Sequence, residues 1–362
     1  MLEVELTKKL KEFTMEISFQ DGLEGRDGCL GVLGASGCGK SMMLKMIAGI
    51  EMPDAGRIVL GGRILFDSEK KICLKPQKRK VGYLFQNYAL FPNMTVAENV
   101  AAGLTGPKAF REERVGEMLE RFHLKELAAR YPDALSGGQQ QRAALARILA
   151  YEPDAILLDE PFSALDGYLK EELQLELLEL LSGYRGSVVL VTHDRDEVYR
   201  LTKNLMILDR GRLVEKGGTG QLFQNPAHYL SARLTGCKNL SRAGKLSRYR
   251  LAALDWGIEL VTCEPVPDDL SFVGVRAHDF LPASGPDQNK GAAENVMPVR
   301  VLTLTESPFE WVVVFKNAGS GEGEKKPLWW KFEKDIRHHD LAGKMPQYLR
   351  IPPECLLLLR GQ

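Results

Sequence analysis

The run Gly34-Ala35-Ser36-Gly37-Cys38-Gly39-Lys40-Ser41 follows directly on an apolar segment, residues 29–33, and fills every defined position of the G-x-x-x-x-G-K-[ST] pattern. That order of strand, loop and helix start confines the chain to an α/β sheet built around a phosphate cradle. Glycines allow left-handed backbone angles, so several N–H groups converge on a β-phosphate while the following helix offers its positive end. Lys40 neutralises the β- and γ-phosphates. Ser41 brings a hydroxyl to Mg²⁺, a hard cation that takes oxygen ligands and keeps several waters. A glycine-rich turn that only joined a strand to a helix would need neither the lysine nor the serine.

A second anion-seeking element, Leu135-Ser136-Gly137-Gly138-Gln139-Gln140-Gln141-Arg142, lies about 100 residues further on. A helix read over 139–150 starts there, so its free N–H groups and dipole suit an anion wherever that anion comes from. Two such grips imply a nucleotide clamped from both ends. Residues 155–158 read as a buried strand that ends in Asp159 and Glu160. Parallel strands of open α/β sheets carry their functional groups at the carboxyl ends. Asp159 is expected to hold Mg²⁺ through water, and Glu160 to act as general base on the attacking water, because phosphoryl transfer rests on in-line positioning and charge neutralisation. Two acids at a strand end can also be a solvated edge, and the upstream cradle favours catalysis. The strand over 187–192 delivers His193, ahead of the helix starter Asp194, where an imidazole can sense a γ-phosphate. Gln86 ends the apolar run 81–85 and either reaches Mg²⁺ and the attacking water or is a polar loop residue.

With 362 residues the chain is long enough for two domains. Lys plus Arg and Asp plus Glu balance at 48 each, so no net field steers it to nucleic acid or an acidic membrane surface. The opening Met1-Leu2-Glu3-Val4-Glu5-Leu6 is alternating and acidic, unlike a signal peptide, and no run approaches the ~20 apolar residues that span a bilayer. A role in a membrane process would be that of a peripheral subunit. Six cysteines without C-x-x-C or zinc spacing fit reduced thiols in the cytosol. Cys38 is either a small filler or a thiol made reactive by the positive loop around it.

Residues 1–85 read as short strands around the loop and its helix, 96–150 as largely helical with an amphipathic middle at 112–127, and 155–159, 187–191 and 204–209 as strands alternating with helices, the mark of a parallel sheet. The six basic residues within 70–80 read as a solvated loop. Asn87-Tyr88-Ala89-Leu90-Phe91-Pro92 reads either as exposed aromatics that form a groove for a partner helix or as a self-packed loop. Composition changes near Thr235-Gly236. Beyond it, β-like runs at 271–275, 299–303, 311–315, 328–332 and 355–359 point to a small β-barrel, with 284–295 and 317–326 read as mobile loops.

Taken in order, the glycine-rich loop, Gln86, Leu-Ser-Gly-Gly-Gln, Leu157-Leu158-Asp159-Glu160-Pro161, Ser163-Ala164-Leu165-Asp166 and His193 resemble the ATPase subunits of ABC transporters. The resemblance covers about the first 235 residues. It implies an α/β P-loop NTPase cassette over 1–235, with a parallel-sheet core and a helical subdomain at about 87–150. ATP and Mg²⁺ would be its ligands. Ser136, Gly137 and Gly138 would contact the γ-phosphate of a nucleotide held on the glycine-rich loop of a second subunit, with Gln139 and Asp166 at the same composite site. The unit would be a head-to-tail homodimer. Met42 stands where these ATPases usually carry Thr, which implies altered nucleotide affinity and retained hydrolysis. Phe13 is the nearest match to their adenine-stacking aromatic, yet Phe13, Met15, Ile17 and Phe19 alternate with polar residues like the core face of a strand, and both readings stand.

The resemblance further implies two membrane permease subunits, one of whose helices docks after Gln86, an extracytoplasmic substrate-binding protein, a place on the cytoplasmic face of the membrane and no nucleic-acid partner. Residues 272–279 and 295–301 resemble the oligonucleotide-binding-like C-terminal domain of anion-importer ATPases, so 236–362 is expected to be a small all-β regulatory barrel. Arg63-Ile64-Leu65-Phe66-Asp67-Ser68 and residues 73–86 are most similar to the molybdate type, ahead of sulfate or tungstate and then polyamine, iron or sugar importers. An oxyanion-sensing regulator and a soluble, non-transport ABC ATPase are the readings from other classes.

Overall fold

The computed structural model describes residues 1–21, 29–163, 167–285, 294–319, 325–334 and 345–361. Asp166 lies outside them, as does the middle of each segment read as a mobile loop. The chain forms two compact units, Met1–Gly220 and Gln221–Gln362.

The first unit is organised by one sheet. Its strands are β1 (Leu2–Lys9), β2 (Thr14–Gln20), β3 (Cys29–Leu33), β4 (Ala55–Leu60), β5 (Arg63–Asp67), β6 (Ile72–Cys73), β7 (Val81–Leu84), β8 (Ala155–Asp159), β9 (Ser187–Thr192), β10 (Asn204–Asp209) and β11 (Arg212–Gly218). They lie in the order β6-β5-β4-β1-β2-β11-β10-β3-β9-β8-β7. From β10 to β7 the pairing is parallel, as the alternation of strands and helices requires. This is the parallel core expected of the cassette; the other end is an antiparallel arm, whose pairing the sequence did not specify, so the sheet as a whole is mixed. Short connections explain the difference. Chains such as Leu10–Phe13 between β1 and β2 are long enough to turn back and too short to cross over.

Helices cover the sheet: α1 (Lys40–Ala48), α2 (Pro76–Arg79), α3 (Val96–Ala101), α4 (Lys108–Arg121), α5 (Gly137–Ala150), α6 (Gly167–Ser182) and α7 (Arg195–Leu201). β8 and β9 are buried at every residue because both their faces are covered. Alternate side chains serve two cores. Tyr83, Ala155, Leu157, Val189 and Val191 join α1 in one cluster. Leu84, Ile156, Leu158, Val188 and Leu190 join residues of α3, α4 and α5 in the other. The amphipathic stretch at 112–127 is α4 and a short 3₁₀ turn, with Met118, Leu119 and Phe122 inward.

Within the basic segment 70–80 the lysines are exposed, as the solvated reading expects, and Arg79 is the exception. It is 1% exposed, and its guanidinium donates to Met46 O and Ile47 O at 2.8 Å and to Leu74 O at 2.9 Å. The last carbonyls of an α-helix lack partners within it, and Arg79 supplies them for α1.

The second unit contains α9 (Tyr229–Leu234), which packs Ala232 against Leu357 and Leu359, and two five-stranded antiparallel sheets; α8 (Thr219–Gln224) leads into it. One sheet holds β12 (Asn239–Ser247), β13 (Arg250–Ala253), β14 (Ile258–Val261), β15 (Leu270–Val275) and β21 (Leu357–Arg360). The other holds β16 (Leu281–Ala283), β17 (Val296–Glu306), β18 (Glu310–Asn317), β19 (Leu328–Glu333) and β20 (Tyr348–Arg350). Both contribute to one core around Trp256, Phe280 and Phe315, the last two meeting edge to face.

Arg79→Leu keeps the apolar stem and takes the guanidinium from the buried Met46 and Ile47 carbonyls and the part-buried Leu74 carbonyl, so the urea transition of the first unit is expected to lose about 1–3 kcal/mol. A loss below about 0.5 kcal/mol, the ordinary surface range, would show that water replaces the guanidinium without cost.

Candidate functional site

The sheet order β3-β9-β8 places three parallel strands side by side, so their carboxyl ends open on one edge. From β3 the chain enters the glycine-rich loop. Gly39 has φ 107°, and a Cβ there would lie 2.3 Å from the Met15 methyl; a Cβ at Gly34 would lie 2.4 Å from Leu208 O. Both positions exclude a side chain, which is what lets the loop close tightly before α1. Lys40 is 5% exposed and donates to Gly34 O at 2.8 Å and Ala35 O at 3.1 Å. An ammonium has three N–H donors, which leaves one for a phosphate oxygen.

Ser41 Oγ donates to Asp159 Oδ1 at 2.7 Å, joining residues 118 apart in sequence. Tyr83 Oη donates to Asp159 Oδ2 at 2.8 Å, and burial followed by the nearby carboxylate pushes its phenol up, so it remains a donor. Among the described residues no three His, Cys, Asp or Glu side chains are grouped to hold a metal unaided. Mg²⁺ takes one or two hard protein oxygens and completes its shell from waters and substrate phosphates. Ser41 and Asp159 are such a pair.

Glu160 follows with φ 47°, a left-handed angle that costs a non-glycine residue about 1–3 kcal/mol and concentrates at functional sites. Its N–H donates to Val191 O at 2.9 Å, and its Oε1 lies 3.2 Å from His193 Nδ1. The side chains at the ends of β8 and β9 thus touch. Behind His193, Asp194 caps α7 by accepting from the Asp196 and Glu197 amides, as its helix-starter position predicts. Lys170, on α6, reaches Asp194 Oδ2 at 2.6 Å and Glu197 Oε1 at 2.7 Å, and buried Thr192 donates to Glu197 Oε2 at 2.6 Å. Burial alone would raise the Asp194 carboxyl, but the Lys170 and amide hydrogen bonds outweigh it and hold it below 3.8. Neither Lys170 nor Glu197 has a motif of its own to mark it. Only Glu197's place three residues into a capped helix hints at a role.

Gln86 is exposed in the turn that follows β7, the strand beside β8. Phe13 precedes β2 and is half-buried against the core, and a Cβ at Gly39 would sit 3.7 Å from its Cζ. It is thus both a core residue and a neighbour of the loop. Met42 is half-buried on the same core. Cys38 is 4% exposed, and burial pushes its thiol up despite Lys40, which opposes the reading of a reactive thiolate. Ser136 is the N-cap of α5 and forms a capping box with Gln139: the Gln139 amide donates to Ser136 Oγ and the Ser136 amide to Gln139 Oε1. Gly137 and Gly138 open that helix.

The segment after Gln86 corrects the reading of exposed aromatics. Tyr88 is 4% exposed and belongs to the core, whereas Phe91 is 47% exposed beneath the Arg147 guanidinium. Arg147, from α5, donates to Tyr88 O at 2.9 Å and Ala89 O at 2.7 Å, fixing two consecutive left-handed residues. Charge and aromatic content in the sequence pointed to neither contact.

The ABC transporter family model matches residues 25–163. The chain is 43% identical over 220 residues to the probable sulfate/thiosulfate import ATP-binding protein CysA of Chlorella vulgaris, covering 60% of this chain and 91% of that protein. The chain belongs to the ABC transporter ATP-binding family. This ABC protein is also 44% identical over 212 residues to the putrescine transport ATP-binding protein PotG of Escherichia coli, matching 58% of its own length and 55% of PotG. Against PotG the chain therefore spans little more than half of the relative. A dimeric ATP-binding cassette, MJ0796, solved in a post-hydrolysis state with ADP and Pi, is similar with TM-score 0.50 and 28% identity over 60% of this chain and 99% of its own.

Removal of the ammonium in Lys170→Met should cost this ABC protein stability at neutral pH. A depressed carboxyl contributes fully above its unfolded value of 3.8 and loses that contribution as pH falls through the folded value. Urea titrations from pH 7 downward should show wild type and variant converging below 3.8. A constant gap across that range would assign the stabilisation to packing of the lysine stem.

Proposed function

We propose that the chain is the ATP-hydrolysing subunit of an importer for an oxyanion, molybdate first among them. The observation that carries the ATPase reading is the contact of Ser41 with Asp159 and of Glu160 with His193 on one sheet edge. Lys40 and the loop amides bind the phosphates; Ser41 and Asp159 would hold Mg²⁺, which would supply charge neutralisation for phosphoryl transfer. Glu160 accepts a proton from the attacking water at its carboxylate, with Gln86 orienting the same water. His193, set by Glu160 on one side and the Asp194 helix start on the other, donates toward the γ-phosphate. Ser136, Gly137 and Gly138 close on the nucleotide of a second copy: the capping box engages the Gln139 and Ser136 amides, which leaves the Gly137 and Gly138 N–H groups of the first turn and the serine O–H to donate to an anion.

In this reading two copies clamp two ATP molecules and pull two membrane permease subunits, supplied by an extracytoplasmic binding protein, toward an outward-facing state. The chain works at the cytoplasmic face as a peripheral subunit. Among the described residues no helix is long and apolar enough to cross a membrane. Oxyanion cargo is supported by residues 63–68 and 73–86, which resemble the molybdate type, and by likeness to a sulfate/thiosulfate import protein. A polyamine or iron cargo is the second reading, favoured by 44% identity to PotG and to the Fe(3+) ions import ATP-binding protein FbpC of Pseudomonas fluorescens. The 236–362 domain is proposed as regulatory.

Glu160→Gln removes the base while keeping its size, so steady-state hydrolysis should fall at least ~100-fold. The same variant with ATP and Mg²⁺ should run as a dimer by light scattering. Wild-type turnover would exclude Glu160 as the base, and a monomer with ATP bound would exclude the two-copy clamp.

Cargo is decided by uptake in cells lacking and regaining the chain, with labelled molybdate, sulfate, putrescine and Fe³⁺ supplied separately. Restored molybdate uptake alone is expected. Restored putrescine or iron uptake with molybdate unchanged would replace the oxyanion reading with the second one.

A further inference from the structure

Asp159 accepts hydrogen bonds on both of its oxygens, from side chains on two different elements. Ser41 Oγ meets Oδ1 at 2.7 Å and Tyr83 Oη meets Oδ2 at 2.8 Å. Tyr83 stands on β7, in register with Leu157 of β8, and its ring packs in the α1-side core against Phe85 with centroids 4.4 Å apart. Tyr83 is 8% exposed and Asp159 7%. The hydroxyl is thus brought to the carboxylate by the neighbouring strand β7, whereas Ser41 comes from α1.

A buried phenol needs an acceptor, and many would do. Here the acceptor is the carboxylate paired with the metal-binding serine. A hydrogen bond to an ionised oxygen is about twice as strong as a neutral one. The division of labour matters more than the strength. One hydrogen bond leaves a carboxylate free to swing about its terminal torsion, which is broad and roughly two-fold, while a second on the other oxygen fixes its plane. Ser41 has to serve Mg²⁺ with the same oxygen that contacts Asp159. Tyr83 has no other duty at the site.

We propose that Tyr83 is a positioning residue for Asp159, holding Oδ2 in the sheet so that Oδ1 stays turned toward Ser41 and the Mg²⁺ of the nucleotide site. The proposal rests on the reading of Asp159 as a metal partner and adds the group that orients it. Groups that orient metal ligands through hydrogen bonds commonly govern metal affinity by about 10–100-fold.

The test uses the full chain and three proteins: wild type, Tyr83→Phe and Asp159→Asn. Mn²⁺ is titrated into the ADP-loaded protein and followed by electron paramagnetic resonance, and the Mg²⁺ concentration for half-maximal ATP hydrolysis is measured alongside. Tyr83→Phe keeps the ring and its packing, which circular dichroism and the melting temperature check. The expected result is a Mn²⁺ affinity about tenfold weaker, with a matching rise in half-saturating Mg²⁺. The defect should fall on the metal concentration required more than on kcat at saturating Mg²⁺. Unchanged Mn²⁺ affinity in Tyr83→Phe, with a clear loss in Asp159→Asn, would overturn the role of Tyr83 alone. If Asp159→Asn also left Mn²⁺ affinity unchanged, the metal reading of Asp159 would fall and take this proposal with it.

Discussion

One hydrogen bond ties the first unit into a working shape: Ser41 Oγ to Asp159 Oδ1, across 118 residues of sequence. Ser41 is fixed by the loop that leaves β3, and Asp159 is the last residue of β8, with β9 between the two strands. The contact exists only when three parallel strands have assembled in the right order. Non-local pairing of this kind requires the loop entropy to be overcome before any contact rewards it. Arg79 secures α1 at its far end, so the helix start at Lys40 is held from both directions.

Around that contact the chain accepts local cost for position. Glu160 takes a left-handed angle, and the same distortion lets its amide reach Val191 O while its carboxylate meets His193. Tyr83 spends a buried hydroxyl on Asp159, and Lys170 spends an ammonium on Asp194 and Glu197. These are charge-assisted contacts in confined surroundings, where geometry is held more firmly than among solvated groups. The phosphate-binding loop combines both devices: steric closure at Gly34 and Gly39 confines its path, and the Lys40 ammonium holds the Gly34 and Ala35 carbonyls.

Local chemistry explains what was legible beforehand. Gly34, Lys40, Ser41, Asp159, Glu160 and His193 could be read because strand ends and phosphate loops demand particular residue types at fixed spacing, and the structure gathers them on one edge. The alternation of Met15, Ile17 and Phe19 likewise translated directly into the buried face of β2. Arg79, Tyr83, Arg147 and Lys170 could not be read, since each acts on a partner distant in sequence and looks like an ordinary basic or aromatic residue until the fold supplies that partner. Tyr88 was misjudged for the same reason: an aromatic in a polar loop is exposed only if no core lies beneath it. The strands of the antiparallel arm were legible as strands, but their pairing direction was not, since it follows from the short connections and not from the residues of each strand; β12, β13 and β14 were hidden by patterns too weak to separate from loop.

Arg147 has a mechanical consequence. It lies eleven residues beyond Ser136 on α5, roughly 16 Å along a rigid helical rod. Its guanidinium clasps the Tyr88 and Ala89 carbonyls and shelters Phe91. The exposed Phe91 ring is therefore connected to Ser136 and its two glycines through one guanidinium and one helix. The loop around Phe91 and the helix start at Ser136 are thus tied together as the handle and blade of one tool.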